Sequence, residues 1–190
     1  MTASVIAWTL IHIAQTPKVQ DNLVQDFATR QDVKPDDLFS DLICATETVL
    51  HWTVMESMRL SPPTFFSLPE QSGEHKVLPD GGAIPAGTPI IIDAWTLNRL
   101  SEVWGTDSLE FEPMRFGKLK PASYRYSLWR FGMGPRKCVG QFFADKIIKM
   151  VRTQIRPYSA ILCLFYRTID RIAKAIVPRF SHYHFLFVLS

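Results

Sequence analysis

The chain has 190 residues, 47% hydrophobic and 21% charged, a composition that suits one globular domain and excludes a disordered or fibrous protein. Its formal charge of +3 comes from 21 basic and 18 acidic residues that are interspersed. No basic arm for nucleic acid is therefore present, although a local basic patch could still face an acidic partner protein. Three cysteines, Cys44, Cys138 and Cys163, are far apart and odd in number, which argues against a disulfide framework and for a reducing compartment.

From Thr2 to Ala28 the residues Val5, Ile6, Leu10, Ile13, Val19, Leu23 and Phe27 recur at helical steps. Pro17 suits the first turn of a helix, so two helices in series are predicted, with a break near Gln15 and Thr16. Val5 to Ala14 is apolar but too short to span a bilayer, and no leader pattern accompanies it. Met1 falls inside the first amphipathic pattern without a cap, so a preceding N-terminal part is expected.

Lys34 to Asp37 reads as a turn that can cap a helix carrying Leu38, Leu42 and Ile43. A further helix is predicted from Glu47 to Leu60, stopped by Ser61-Pro62-Pro63. It holds Glu56 and Arg59 at i and i+3 on one face, a spacing that by itself more often marks a solvated surface pair. Val77 to Ile92, with turns at Pro79–Gly82 and Pro85–Gly87, reads as a small hairpin sheet. Trp104 to Lys120 has no period and reads as a long loop, of the kind that wraps something or carries function.

Phe131 to Gly140 reads F-G-M-G-P-R-K-C-V-G, a glycine-punctuated loop that delivers Cys138 to the first turn of a helix bearing Phe142, Phe143, Ile147, Ile148 and Val151, with Lys146 and Lys149 on its other side. A helix N-terminus with Arg136 and Lys137 nearby favours an anionic sulfur. Gly132 and Gly134 let the backbone turn sharply, and Gly140 leaves room for a flat ligand. An inert buried thiol, a redox or nucleophilic cysteine, and an axial metal ligand all remain open on these residues alone.

The loop resembles the cysteine-ligand motif F-x-x-G-x-R-x-C-x-G of the cytochrome P-450 haem-thiolate monooxygenases at every specified position. Glu56-Ser57-Met58-Arg59 resembles the E-x-x-R of that family's K helix, about eighty residues upstream, and Phe111 to Phe116 resembles its F-x-P-E-R-F segment. Trp8 and the run from Thr16 to Leu23 are similar to fungal microsomal members. The resemblance covers Thr2 to Gln154 and implies a mainly α fold with a small β-sheet region. That is the C-terminal part of the family's domain, from the end of the I helix through J, K, hairpin sheet, meander and cysteine loop to the L helix, over residues 1–154, followed by a divergent tail at 155–190.

The same resemblance implies haem b with Cys138 as its axial thiolate, a ligation that pushes electron density onto iron. Phe131 would pack beside the sulfur, Arg136 would pair with a propionate, and Gly132, Gly134 and Gly140 would shape the loop. Glu56, Arg59 and Arg115 would form a structural ion-pair network. The implied partners are NADPH-cytochrome P-450 reductase, met by Lys137, Lys146 and Lys149, together with O2 and a small apolar substrate. The stretch from Tyr124 to Lys146 resembles enzymes of sulfur-bridged cyclic dipeptide pathways, so a secondary metabolite is expected. For a full-length member the implied location is the cytosolic face of the endoplasmic reticulum, through an N-terminal anchor outside these residues.

Several positions depart from the family pattern. The oxygen-activating acid and alcohol pair is expected at or before Met1, with Thr2 just after it. Among segments lining the family's substrate pocket, only Pro62 to Pro69, with Phe65 and Phe66, has a counterpart. Met114 replaces a carboxylate beside Arg115, and Glu70 stands where many members place an arginine. His182-Tyr183-His184 in the tail is read as incidental rather than as a metal pair. These departures leave a second reading, a catalytically inactive haem-binding or interaction fragment.

Overall fold

The computed structural model describes residues 1–30 and 43–154. The predicted turn and helix start at Lys34–Leu42, and everything expected of the tail including Cys163, His182 and His184, lie outside the described residues.

Helix α1 (Thr2–Gln15) and helix α2 (Pro17–Ala28) run in series, broken at Thr16 as the proline implies. The Thr16 carbonyl accepts the first bonds of α2, from the Val19 and Gln20 amides, while the Gln20 side chain reaches back to the Ile13 carbonyl at 2.8 Å. Helix α3 (Val49–Leu60) begins two residues later than the apolar pattern suggests, because Thr48 is its cap and accepts from the His51 N–H at 3.1 Å. It ends at Ser61, ahead of the two prolines.

Nearly every residue of α3 from Leu50 to Leu60 is buried, Trp52 alone being only partly so, which makes it the central helix rather than a surface one. Three clusters radiate from it. Leu50 packs with Ile13, Val19, Leu23 and Phe27 of α1 and α2. Val54 and Met58 meet Val5 and Ile148, while Met55 meets Trp104, Phe116 and Leu128. Each such side chain fully removed from water contributes about 1.5–3 kcal/mol of transfer free energy.

After α3 the chain forms two short antiparallel ladders. Strand β1 (Glu70–Gln71) pairs with β4 (Pro89–Ile90), and β2 (Lys76–Val77) pairs with β3 (Ala83–Ile84) inside it. An isolated bridge between Phe66 and Asp93 extends the outer ladder toward α3. Helices α4 (Ala94–Leu97) and α5 (Ser101–Trp104) follow as single turns, then α6 (Arg115–Lys118) and α7 (Pro121–Tyr124). The last described element, α8 (Gln141–Gln154), packs on α1 and α3.

Three expectations are corrected. The stretch from Trp104 to Lys120 is not loop throughout, since α6 lies within it and Trp104 closes α5. Helix α8 starts at Gln141, so Cys138 precedes the helix instead of occupying its first turn. The face assigned to α8 is also partly reversed. Phe142 and Phe143 are exposed, while Lys149 is only 1% exposed. Ile148 turns into the core and carries its neighbour Lys149 inward, and two carbonyls and a carboxylate there accept the ammonium group.

Candidate functional site

The structure brings Glu56, Arg59 and Arg115 together in the interior. The Glu56 carboxylate receives Arg59 Nε at 2.7 Å and Nη2 at 2.8 Å, Arg115 Nε at 2.9 Å, and the Glu112 N–H at 3.1 Å. Glu56 and Arg59 are fully buried. A surface pair is therefore the wrong reading of this spacing in this chain.

Carbonyls satisfy the rest of the two guanidiniums. Arg59 Nη1 donates to Asn98 and Ser108 at 2.8 and 2.7 Å, and Arg115 donates to Trp104 at 2.8 Å and Asp107 at 3.0 Å. This explains the irregular backbone between α5 and α6, whose carbonyls turn inward to the arginines instead of pairing in a helix. Asp107 adds a carboxylate 3.2 Å from Arg115 Nη2, so the Met114 departure does not leave that arginine with Glu56 alone. Burial opposes the Arg115 charge, but Glu56 and Asp107 outweigh it and hold its proton more firmly than usual. The hydrogen bond from Arg115 holds the Asp107 carboxyl below the usual carboxylate range.

The cysteine loop is closed at its base by the Cys138 N–H, which donates to the Phe131 carbonyl at 2.8 Å. Gly132 and Gly134 have φ of +76° and +66°, a left-handed backbone that side-chain-bearing residues rarely adopt. A single 3-10 turn covers Gly134–Arg136. Cys138 is a free, exposed thiol, and Phe131 packs against the Val5, Val54, Met58 and Ile148 cluster.

A cavity of about 380 Å³ opens beside this loop, lined by Cys138, Arg136 and Phe131 with Val5, Met58, Phe66, Ala144 and Ile148. Its walls are mostly apolar, and Arg136 has no carboxylate in ion-pair range among the described residues. Thr2 and Glu70 also line it. Phe65 does not, and rests edge-on against Trp95 instead. Gly140 meets nothing within 4 Å of where a side chain would begin, so the space beyond it is open.

A larger cavity of about 990 Å³ also borders this loop, and its lining includes Lys118, Lys120, Arg125, Arg130 and Lys137 with one carboxylate, Glu47. His51 also lines it. Asp145 sits behind, 3.0 Å from Lys149 Nζ, 3.8 Å from Arg130 Nη1 and 3.9 Å from His51 Nδ1. Burial and the Lys149 charge push the His51 imidazole down to about 4, against the opposing pull of Asp145.

Residues 1–155 match the family described as Cytochrome P-450. The chain belongs to the cytochrome P-450 family. Among curated relatives, it is 35% identical over 150 residues to cytochrome P-450 monooxygenase lepD of Aspergillus flavus, covering 79% of this chain and 29% of that one. It is 35% identical over 158 residues to hasH of Aspergillus fumigatus (77% and 28% covered), and 30% identical over 155 residues to gliC from that species (82% and 30% covered). This cytochrome P-450 chain thus spans less than a third of the length of the relatives it matches.

Two groups at the site were not legible beforehand. Asp107 sits in an ordinary polar run, and Asn98 precedes Arg99 at the end of a short helix, so neither has a period or motif of its own. Trp129 lies 31 positions from Asn98, and Arg115 lies eight from Asp107 across an irregular segment without a helical period, so only the fold shows either pairing.

Proposed function

We propose that this chain is the C-terminal part of a fungal haem-thiolate monooxygenase, with Cys138 as the axial ligand of haem b. The observation that carries this reading is the placement of a free thiol, Cys138, and an exposed guanidinium, Arg136, on a mostly apolar cavity that Arg130 also borders. A porphyrin needs that donor set: a soft anionic sulfur for iron, a guanidinium for a propionate, and apolar walls for the ring. The residues present fit the group.

Haem held by a thiolate supplies the activation of O2, one atom of which enters the substrate while NADPH electrons arrive through the reductase. The chain's own part is to hold and shield. Cys138 would offer the sulfur from a backbone fixed by its N–H bond to Phe131, whose ring packs on the Val5, Val54, Met58 and Ile148 cluster and would pack beside the thiolate. Gly140 leaves the approach open, and Arg136 would hold a propionate. Glu56, Arg59 and Arg115 serve as the structural network behind the loop rather than as chemical participants.

The substrate we assign is a small apolar secondary metabolite, with Pro63, Thr64, Phe66 and Leu68 forming part of its wall. The partner is NADPH-cytochrome P-450 reductase, approaching the face of the loop that bears the larger cavity. Lys149 is withdrawn from that surface because it is buried, whereas Lys118, Lys120, Arg125 and Lys137 are exposed around the cavity and Lys146 is exposed on α8. Placement on the cytosolic side of the endoplasmic reticulum follows from the same reading. No helix among the described residues is long and apolar enough to cross a membrane.

Loading the 190-residue chain with haemin, reducing it under CO and recording the Soret region tests the ligand assignment. A red-shifted thiolate-type band that disappears in Cys138→Ala is expected. Absence of the band, or its persistence in that variant, overturns the assignment. Thiolate-type binding without substrate oxidation when reductase and NADPH are added favours the second reading, a haem-binding fragment without turnover.

A further inference from the structure

We infer that Asn98 is a positioning residue for the cysteine loop, tying the backbone that enters the loop to the buried arginine network. Asn98 is completely buried at the end of α4, whose start is fixed by the Asp93 side chain accepting from the Thr96 N–H. Its side-chain amide makes two opposed bonds to one residue. Oδ1 accepts the Trp129 N–H at 2.6 Å, and Nδ2 donates to the Trp129 carbonyl at 3.1 Å. A neighbouring strand would hold a residue in this way, and two bonds fix both the position and the rotation of the Trp129 peptide planes.

The backbone of Asn98 completes the link. Its carbonyl accepts Arg59 Nη1 at 2.8 Å, and Arg59 is in turn held by both oxygens of Glu56. Two residues beyond Trp129, the Phe131 carbonyl accepts the Cys138 N–H at 2.8 Å. A continuous path therefore runs from Glu56 through Arg59, Asn98, Trp129 and Phe131 to the backbone of Cys138. Only a side-chain amide provides a donor and an acceptor side by side for this task. Aspartate keeps the acceptor and loses the donor, while alanine loses both and leaves two backbone groups unpaired.

Asn98 touches neither the cysteine sulfur nor the cavity beside it, so its action is through the backbone. The spectroscopic consequence rests on the haem reading above, but the backbone consequence does not. A loop released at Trp129 leaves the sulfur on a longer, freer tether, and positioning errors at a reacting centre are expensive.

Amide hydrogen exchange on the 190-residue chain, resolved at Trp129 and Cys138, is the primary test. In Asn98→Ala both amides should exchange about tenfold faster or more, while the amides of α3 keep their rates. In Asn98→Asp the retained acceptor should keep Trp129 slower than in Asn98→Ala. Unchanged exchange at both amides overturns the inference. So does acceleration by the same factor throughout α3, which marks a merely structural role. If Asn98→Ala does not fold, Asn98→Asp decides by the same comparison: faster exchange at Cys138 than in the parent, with α3 unchanged, supports the inference, and parental rates overturn it.

Haemin loading gives the second readout. Under CO, Asn98→Ala should show a smaller thiolate-type fraction at equal total haem, partly restored in Asn98→Asp, and a parental fraction in Asn98→Ala overturns the inference. If the parent chain itself gives no thiolate-type band, the haem reading fails and the exchange rates alone decide the role of Asn98.

Discussion

Glu56 Oε1 stands 2.9 Å from Arg115 Nε, across 59 positions of sequence, and the same carboxylate also holds both near nitrogens of Arg59. One buried anion thus joins the central helix to the segment before the cysteine loop. Its two oxygens face four donors, which makes a half-dismantled network worse than none.

Glu56→Gln should for that reason destabilise the chain by roughly 3–5 kcal/mol, because two buried guanidiniums lose their shared counter-charge. Urea unfolding followed by far-ultraviolet circular dichroism measures it. A loss under about 1 kcal/mol would show that solvent reaches the network and that its burial is not maintained.

The histidines make stability depend on acid. Burial, with Arg99 and Arg59 nearby, pushes His12 down to about 4, and His51 is likewise held at about 4. Each imidazole stays neutral in the folded chain while the unfolded chain binds its proton near the ordinary value of 6.5. The contribution is therefore complete above 6.5 and is lost as pH falls from 6.5 toward 4. The urea midpoint should drop through this range, and His12→Phe, which preserves an aromatic ring between Trp8 and Phe111, should flatten the drop. An identical slope in that variant would remove His12 from the account.

Lys149→Met tests the inward lysine. Burial, Lys149 and Arg130 together hold His51 down, so removing the Lys149 charge leaves Asp145 facing the imidazole with less competition and His51 should titrate at a higher pH. The substitution also strips the Ile43 and Ala45 carbonyls of a donor, with an expected loss on the order of 1–3 kcal/mol. Proton resonance titration of His51 with parallel urea curves gives both numbers. A lysine that projected into water would show neither effect.

Gly117 lies so close to Trp52 that an added Cβ would stand 2.7 Å from the indole. Gly117→Ala should cost about 1–3 kcal/mol by overpacking α6 against α3, and the smaller side chain of Trp52→Leu should recover part of it in the double variant. Additive losses in the thermodynamic cycle would mean that the two positions do not touch.

Much of the chain's identity is carried by short-range pattern. The glycines of the cysteine loop, the proline that divides α1 from α2, and the prolines that end α3 act on their own backbone, so their consequences can be read without knowing what lies nearby. The spacing of Glu56 and Arg59 is legible as a shared helix face but not as an interior one, since spacing carries no information about what covers that face. Lys149 shows the same limit from the other side. Charge alone put it in water, and three acceptors from two separate segments keep it inside.

The sequence by itself therefore determined the long helices and their breaks and the turning loop that presents Cys138, because these depend on local dihedral preference, and its motifs carried the resemblance to the family. Only the tertiary structure decided that Asp107 would join Arg115, that Asn98 would clasp Trp129, and that Phe142 and Phe143 would stay outside while Lys149 went in. Burial of a polar group depends on the partners that reach it, and those partners come from chain positions that no local pattern connects.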